Sequence, residues 1–293
     1  MRIDDLVARN AVAGRITRVV SSGDPALHYR LYVPRHVRPN RPVLVAVHGI
    51  SLNADEQVWA FASLADRHGL VLVAPSFDAE RFADYQRLGR VGRGPRADLA
   101  LAHALDELRS TLAIRSRRML LFGYSGGGQF AHRYTMAHPK QVRAAVVAAA
   151  GWYTFPDTDA RFPYGLRVGN ALPGVRLRQR AFLRVPILVA VGDGDLERES
   201  SLRQSTRIDQ LQGRNRVERA ERWMQAMGEA AARCGLPSRV ELSKIPTAGH
   251  SFAASFAAGL GELAVSFLRR PALRPNRSVD ALPIRERPDK EST

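Results

Sequence analysis

Residues 120–130 read LLFGYSGGGQF: an apolar run, then one serine, Ser125, with Gly123, Gly126, Gly127 and Gly128 around it. Four glycines add backbone entropy cost and offer no side chain to pack, so a chain that carries them here needs the room. The run before the serine predicts a buried strand. The segment after it, QFAHRYTMAHP, predicts a helix that stops at Pro139. A strand that turns at once into a helix brings two backbones into contact, and this junction restricts the chain to folds in which helices pack on a sheet.

The rest of the chain repeats the alternation. Near-continuous apolar runs at PVLVAVHG (42–49), LVLVAPS (70–76), RMLLFGY (118–124), VRAAVVAAA (142–150) and PILVAVGD (186–193) predict strands covered on both faces. HYRLYVP (28–34) alternates like an edge strand, and RVELSKIP (239–246) completes the set. Leu101, Leu105, Leu108 and Leu112 form one helical stripe; RVERAERWMQAMGEAAARCG predicts a long charged helix closed by Gly235, and SFAASFAAGLGELAVSFLRR the last helix. The fold class is therefore α/β, a mostly parallel sheet with helices on both faces. YTFPDTDARFPYG is aromatic, Pro-rich and aperiodic, and predicts a loop or small cap within a segment of about 151–185. One domain is expected over 1–269. The tail 270–293, with Pro271, Pro275, Pro283, Pro288 and many charges, is expected to stay unpacked.

Gly123-Tyr124-Ser125-Gly126-Gly127 fits G-x-S-x-G, and its strand-turn-helix setting is the one a nucleophile elbow requires. A serine hydroxyl needs a base within reach, and the base needs an orienting acid. Of the 8 histidines, His28, His68, His103, His132 and His138 lie on or beside strands and helices, and His36 lies in an early basic loop. His250, in IPTAGHSF, follows the last strand and lies downstream of an acidic loop, in the chain order this architecture uses. That loop offers Asp193, Asp195 and Glu197; the G-x-x-D of 192–195 favours Asp195, with Asp193 turning the loop. An oxyanion hole would draw one N–H from Gly126 and a second from Ile50 in VHGI, with His48 ordering that turn.

VHGI, GYSGG, VGDGD and AGHSF, spread over roughly 43–269, resemble the α/β-hydrolase superfamily, and within it the small bacterial esterases near the polyhydroxybutyrate-depolymerase and feruloyl-esterase branch. The resemblance implies an α/β-hydrolase fold with an eight-stranded, mostly parallel sheet. It also implies a serine hydrolase that cleaves small-molecule carboxylic esters through an acyl-enzyme, with Ser125, Asp195 and His250 as triad and no metal or organic cofactor. Tyr124, Phe155 and Arg90 are expected to meet substrate. Phe155 lies in the aromatic segment. Arg90 lies in the basic loop ERFADYQRLGRVGRGPRAD, where a planar guanidinium could bind a carboxylate. The same triad serves peptidases and thioesterases, and a non-catalytic ligand-binding protein can keep the fold without turnover.

A formal charge of +16 raises the question of a nucleic-acid or membrane partner. Only Lys140, Lys244 and Lys290 are lysines. Arginine carries the remaining positive charge, scattered along the chain rather than in one stripe, and basic charge alone reads no base; no nucleic-acid partner is expected. No stretch reaches the roughly 18 uncharged apolar residues of a membrane span, so no membrane partner is expected. The start, MRIDDLVARNAVAGR, lacks the apolar centre of a secretory leader. Cys234 stands alone and cannot form an internal disulfide, which suits a cytoplasmic location.

Overall fold

The computed structural model describes residues 1–8, 13–246 and 249–270, and places eight strands in one sheet. They are β1 (Ile16–Val20), β2 (His28–Tyr32), β3 (Leu44–Val47), β4 (Leu72–Ser76), β5 (Met119–Tyr124), β6 (Val142–Ala148), β7 (Ile187–Gly192) and β8 (Val240–Ile245). The spatial order is β1-β2-β4-β3-β5-β6-β7-β8. β2 runs antiparallel to β1 and β4, and every other pairing is parallel. The helices are α1 (Ile3–Ala8), α2 (Ala54–His68), α3 (Ala97–Thr111), α4 (Gly126–Ala137), α5 (Gln179–Phe182), α6 (Thr206–Gln212), α7 (Arg216–Arg233), α8 (Phe252–Ser255) and α9 (Gly261–Arg269).

Successive strand residues point to opposite faces, and the core divides accordingly. Val45, Val47, Leu121, Val147 and Val189 face a cluster that holds Leu101, Leu105 and Leu108 of α3, Phe130 and Tyr134 of α4, and Trp223 of α7. Leu44, Ala46, Leu120, Phe122 and Val146 face α2 and α9 through Val58, Phe61, Leu64, Ala264 and Leu268. Both faces are covered, which is why the central strands read as continuous apolar runs. β1 was not legible in that way: its burial alternates weakly and it lies at the sheet edge.

The junction between β5 and α4 is as close as the glycines suggested. A Cβ on Gly123 would lie 2.1 Å from the Gly127 carbonyl oxygen, and one on Gly127 would lie 2.1 Å from the Val47 carbonyl oxygen. α4 thus starts in backbone contact with β3 as well as β5.

The aromatic segment is packed down rather than loose. Trp152, Tyr153 and Thr154 are buried. Tyr153 stacks on Trp223 at 4.9 Å, and the Trp223 indole N–H donates to the Thr154 carbonyl at 2.8 Å. Fully buried Arg219 of α7 ties this segment to the loop after β7. Its guanidinium donates to the carbonyls of Gly213 (2.8 Å), Gly151 (2.6 Å) and Arg203 (3.0 Å), and to the Asp209 carboxylate (2.9 Å).

The last predicted helix is broken into α8, a wider turn and α9, with Gly259 non-helical at φ 98°. Among the described residues, Phe252–Arg269 is one segment long and apolar enough by composition to cross a membrane, where the sequence reading expected none. Here its Leu260, Ala264, Val265, Phe267 and Leu268 are buried against the sheet. The unpacked tail expected over 270–293 lies, from 271 onward, outside the described residues.

The contact distances predict the outcome of two alanine substitutions. Gly127→Ala is expected to cost about 3 kcal/mol or more, because its Cβ would overlap backbone that cannot rotate away. Gly228→Ala, mid-way along α7 with nothing nearer than 3.9 Å, is expected to stabilise by roughly 1 kcal/mol through helix propensity. Urea unfolding of the two variants checks both; equal midpoints would remove the close-approach argument.

Candidate active site

Ser125 sits between β5 and α4 at φ 54° and ψ −113°, a backbone conformation that a non-glycine residue adopts only under strain. It projects from the carboxyl end of the sheet, at the amino end of α4, where helix N–H groups lack intrahelical partners. Its hydroxyl lies 2.9 Å from His250 Nε2, and His250 Nδ1 lies 2.9 Å from Asp195 Oδ2. A carboxylate only accepts hydrogen bonds, so Nδ1 carries the imidazole proton and Nε2 accepts from the serine. The three residues come from the loops after β5, β7 and β8. Ser125 and Asp195 are buried, and only 10% of the His250 side chain is exposed.

Asp193, the competing acid, is exposed, and its amide donates to the Ile245 carbonyl. Asp195 is held on both sides: its second oxygen accepts from Arg216 Nη1 at 3.0 Å, while Arg216 Nη2 donates to Ser201 Oγ at 2.8 Å. Arg216 opens α7 and is 1% exposed, so this is a buried ion pair. The sequence reading did not include Arg216; it lies 21 residues from Asp195, and no motif spacing marks it.

The loop after β3 comes against the serine. A Cβ on Gly49 would lie 3.4 Å from Ser125 Cβ, and one on Gly126 would lie 2.6 Å from the Tyr85 hydroxyl, 3.0 Å from Gln86 Nε2 and 3.1 Å from Ile50 Cγ2. Ile50 and Gly126 are thus brought together beside Ser125, as an oxyanion hole would require. Among the described residues neither amide makes a backbone hydrogen bond.

Two groups hold this loop. The Tyr85 hydroxyl lies 3.2 and 3.0 Å from the His48 and Gly49 carbonyl oxygens and donates to that pair. The Phe77 N–H donates to His48 Nε2 at 3.0 Å, which leaves His48 Nδ1–H to donate to the Gly49 carbonyl at 2.7 Å. His48 orders the turn, as expected. Tyr85 lies in the basic loop that holds Arg90, and nothing in its spacing marks this role.

His132, within α4, repeats the device: it accepts from the Thr154 N–H at 2.9 Å and donates to the Gly128 carbonyl at 2.9 Å. Burial pushes the His48 imidazole down to about 4 and the His132 imidazole well below its usual value.

The three expected substrate contacts fare differently. The Tyr124 ring stacks on the His250 imidazole at 5.4 Å and meets Phe252 edge-on at 5.2 Å. Its phenol is pushed up to about 12 by burial. Tyr124 therefore supports the histidine from within the core. Phe155 is not brought to Ser125; it lines a separate cavity with Gln179, Ala226 and Arg233. Arg90 does face a cavity, but Nε and Nη2 both donate to Asp84, at 2.9 and 3.1 Å.

Solved structures match this fold over most of the chain. A poly(3-hydroxybutyrate) depolymerase from Bordetella parapertussis is 28% identical, with a TM-score of 0.74, covering 90% of this chain and 92% of that one. The poly(aspartic acid) hydrolase-1 of Sphingomonas sp. KT-1 is 22% identical, with a TM-score of 0.74, covering 86% and 98%. The chain has the α/β-hydrolase fold. The bifunctional acetylxylan esterase/xylanase of Neocallimastix patriciarum is 25% identical to this α/β-hydrolase over 142 residues, 45% of the chain, and the chain spans about a fifth (19%) of that relative's length. No established family profile matches this α/β-hydrolase.

Two outcomes follow from the buried groups. The unfolded chain binds protons at its histidines near pH 6.5, whereas folded His48 does so only near 4. Below 6.5 the unfolded state therefore binds more protons, and stability falls as pH drops through this window. The expected loss from His48 is roughly 2 kcal/mol between about pH 6.5 and 5, and His132 adds to it in the same direction. Urea denaturation across that range checks it, and His48→Gln should flatten part of the slope.

Arg216→Met is expected to cost about 3–5 kcal/mol by leaving Asp195 buried without its cation. Adding Asp195→Asn should recover part of that loss. Additive effects in the double-mutant cycle would mean the pair is not coupled.

Proposed function

We propose that this α/β-hydrolase cleaves carboxylic esters, with Ser125 as nucleophile, His250 as general base and acid, and Asp195 as the orienting carboxylate. The observation that carries the reading is the continuous relay from Ser125 Oγ to His250 to buried Asp195, 2.9 Å at each step. The curated relative's name includes an esterase, which favours esters over other acyl compounds.

In this reading His250 Nε2 takes the hydroxyl proton as Ser125 Oγ attacks the ester carbonyl carbon. Asp195 holds Nδ1–H and stabilises the imidazolium, and Arg216 keeps the carboxylate in place. The oxyanion of the tetrahedral intermediate accepts from the Gly126 and Ile50 amides, on a loop that Tyr85 and His48 hold rigid. His250 then returns the proton to the alcohol oxygen as the acyl bond to it breaks, leaving an acyl-Ser125. Water, deprotonated by the same imidazole, attacks the acyl-enzyme and releases the acid. No step requires a metal or organic cofactor.

A fluorophosphonate probe should label the wild-type chain at Ser125, as peptide mapping would read. Ser125→Ala should lower ester turnover by roughly 10⁴- to 10⁶-fold while keeping the fold. Asp195→Asn should cost about 10⁴-fold, because the asparagine imposes the wrong imidazole tautomer, and far more than Asp193→Asn in matched kinetics. A folded Ser125→Ala protein with wild-type ester turnover would overturn the assignment.

A further inference from the structure

The loops after β4, β6 and β7 enclose a cavity of about 340 Å³ lined by Arg87, Arg90, Arg93, Pro163, Tyr164 and Arg203. These loops leave the same end of the sheet as those that carry Ser125, His250 and Ile50. Four of the six lining residues are arginines, and none is an acid. Asp84 accepts from Arg87 and Arg90. Among the described residues Arg93 and Arg203 are exposed and pair with no carboxylate.

Close by lies a fifth arginine. Arg133 of α4 is fully buried, with its guanidinium 4.3 Å from the Trp152 ring; the Arg203 guanidinium lies 5.3 Å from the same ring. Arg133 donates to Thr154 Oγ1 and to the Gln86 carbonyl, yet its Nη2 has no hydrogen-bond partner among the described residues. Burial and the like charges of Arg87, Arg90 and Arg203, opposed by Asp84, push its guanidinium well below its usual value. A guanidinium nevertheless stays protonated at neutral pH, so the charge persists at an energetic cost that an incoming anion would relieve.

The cavity is also tied to the reacting centre. Gln129 and Arg133 follow Ser125 at one-turn intervals on α4, which puts Arg133 about 12 Å along the helix from the serine. In the neighbouring loop, Gln86 reaches the Gly126 position, its carbonyl binds Arg133, and the next residue, Arg87, lines the cavity.

We propose that this arginine cavity is an anionic subsite, which takes a substrate carboxylate held several bonds away from the ester carbonyl that Ser125 attacks. The proposal rests on the ester-hydrolysis reading and names its substrate class: half-esters and ester-linked chains that carry free carboxylates. Arg93 and Arg203 supply the open guanidinium forks, each able to form two parallel hydrogen bonds to a carboxylate. Arg87 and Arg90, anchored on Asp84, supply the field, and Tyr164, with buried Trp152 5.5 Å behind it, supplies an aromatic wall. Arg90 thus contributes to the subsite as a charge tethered to Asp84 rather than as the direct carboxylate contact expected from its sequence position.

The test uses 4-nitrophenyl half-esters of dicarboxylic acids of increasing chain length, each compared with its methyl-capped neutral isostere. At the best length the half-ester should exceed the isostere in kcat/KM by about tenfold to a hundredfold, and the preference should survive raised salt, which removes general surface attraction. Arg93→Gln and Arg203→Gln, both at exposed positions, should each bring the ratio toward one, mainly through KM. Arg118→Gln, in a basic cavity at the opposite end of the sheet, should leave the ratio unchanged.

Equal rates for half-ester and isostere at every length, or a ratio untouched by both cavity variants, would overturn the subsite while Ser125-dependent turnover leaves the hydrolase reading standing. If neither ester is turned over, the hydrolase reading fails. Calorimetric binding of the free dicarboxylates to wild type then decides the subsite: binding lost in Arg203→Gln supports it, and no binding overturns it.

Discussion

The backbone of α4 lies so close to β3 and β5 that no side chain fits at Gly123 or Gly127. That contact fixes where the helix starts, and the helix start fixes Ser125 in its strained conformation above the end of the sheet. The same contact seats Gly49 and Ile50 against the serine, since Gly127 touches the carbonyls of Val47 and His48 that lead into that turn. Relaxing the approach by a few tenths of an ångström would move the hydroxyl and both amides together. The strain at Ser125 is held by packing from β3, β5 and β6, all of them buried on both faces.

Much of this was legible because the central strands and the elbow combine local pattern with global position. Continuous apolar runs mark strands covered on both sides, and the glycines around Ser125 mark a backbone contact that few other residues permit. His250 could be read from its place after the last strand. Asp195 could be preferred over Asp193 from the spacing within the loop, and its burial and its bond to His250 agree with that preference.

What escaped the sequence has a common cause. Arg216 and Tyr85 act from elements remote in the chain from Ser125, and their roles, like that of Arg133, depend on burial that no periodicity records. β1 is short and partly exposed, so it lacks the apolar run that marked its neighbours. The aromatic residues after β6 follow no period, so the loop they form was legible but its packing was not. Tyr153, Trp223 and His132 pack into one another around a turn in which the backbone N–H and C=O of both Tyr153 and Thr154 are hydrogen-bonded. The strongly basic composition likewise suggested surface charge, whereas several of its arginines are internal crosslinks that satisfy loop carbonyls, a task lysine's single ammonium cannot perform over the same span.

Arg219 carries a consequence for how this scaffold can change. One guanidinium closes the segment after β6 through Gly151 and the segment after β7 through Arg203, Asp209 and Gly213. Those two connections are therefore not interchangeable modules. Grafting either one from a relative would strand a buried guanidinium with part of its bonds missing, at about 1–3 kcal/mol for each group left unsatisfied. Remodelling by loop exchange is thus confined to swaps that move both segments and α7 as one cassette, and single-residue exchange at the exposed arginines is the route that leaves the frame intact.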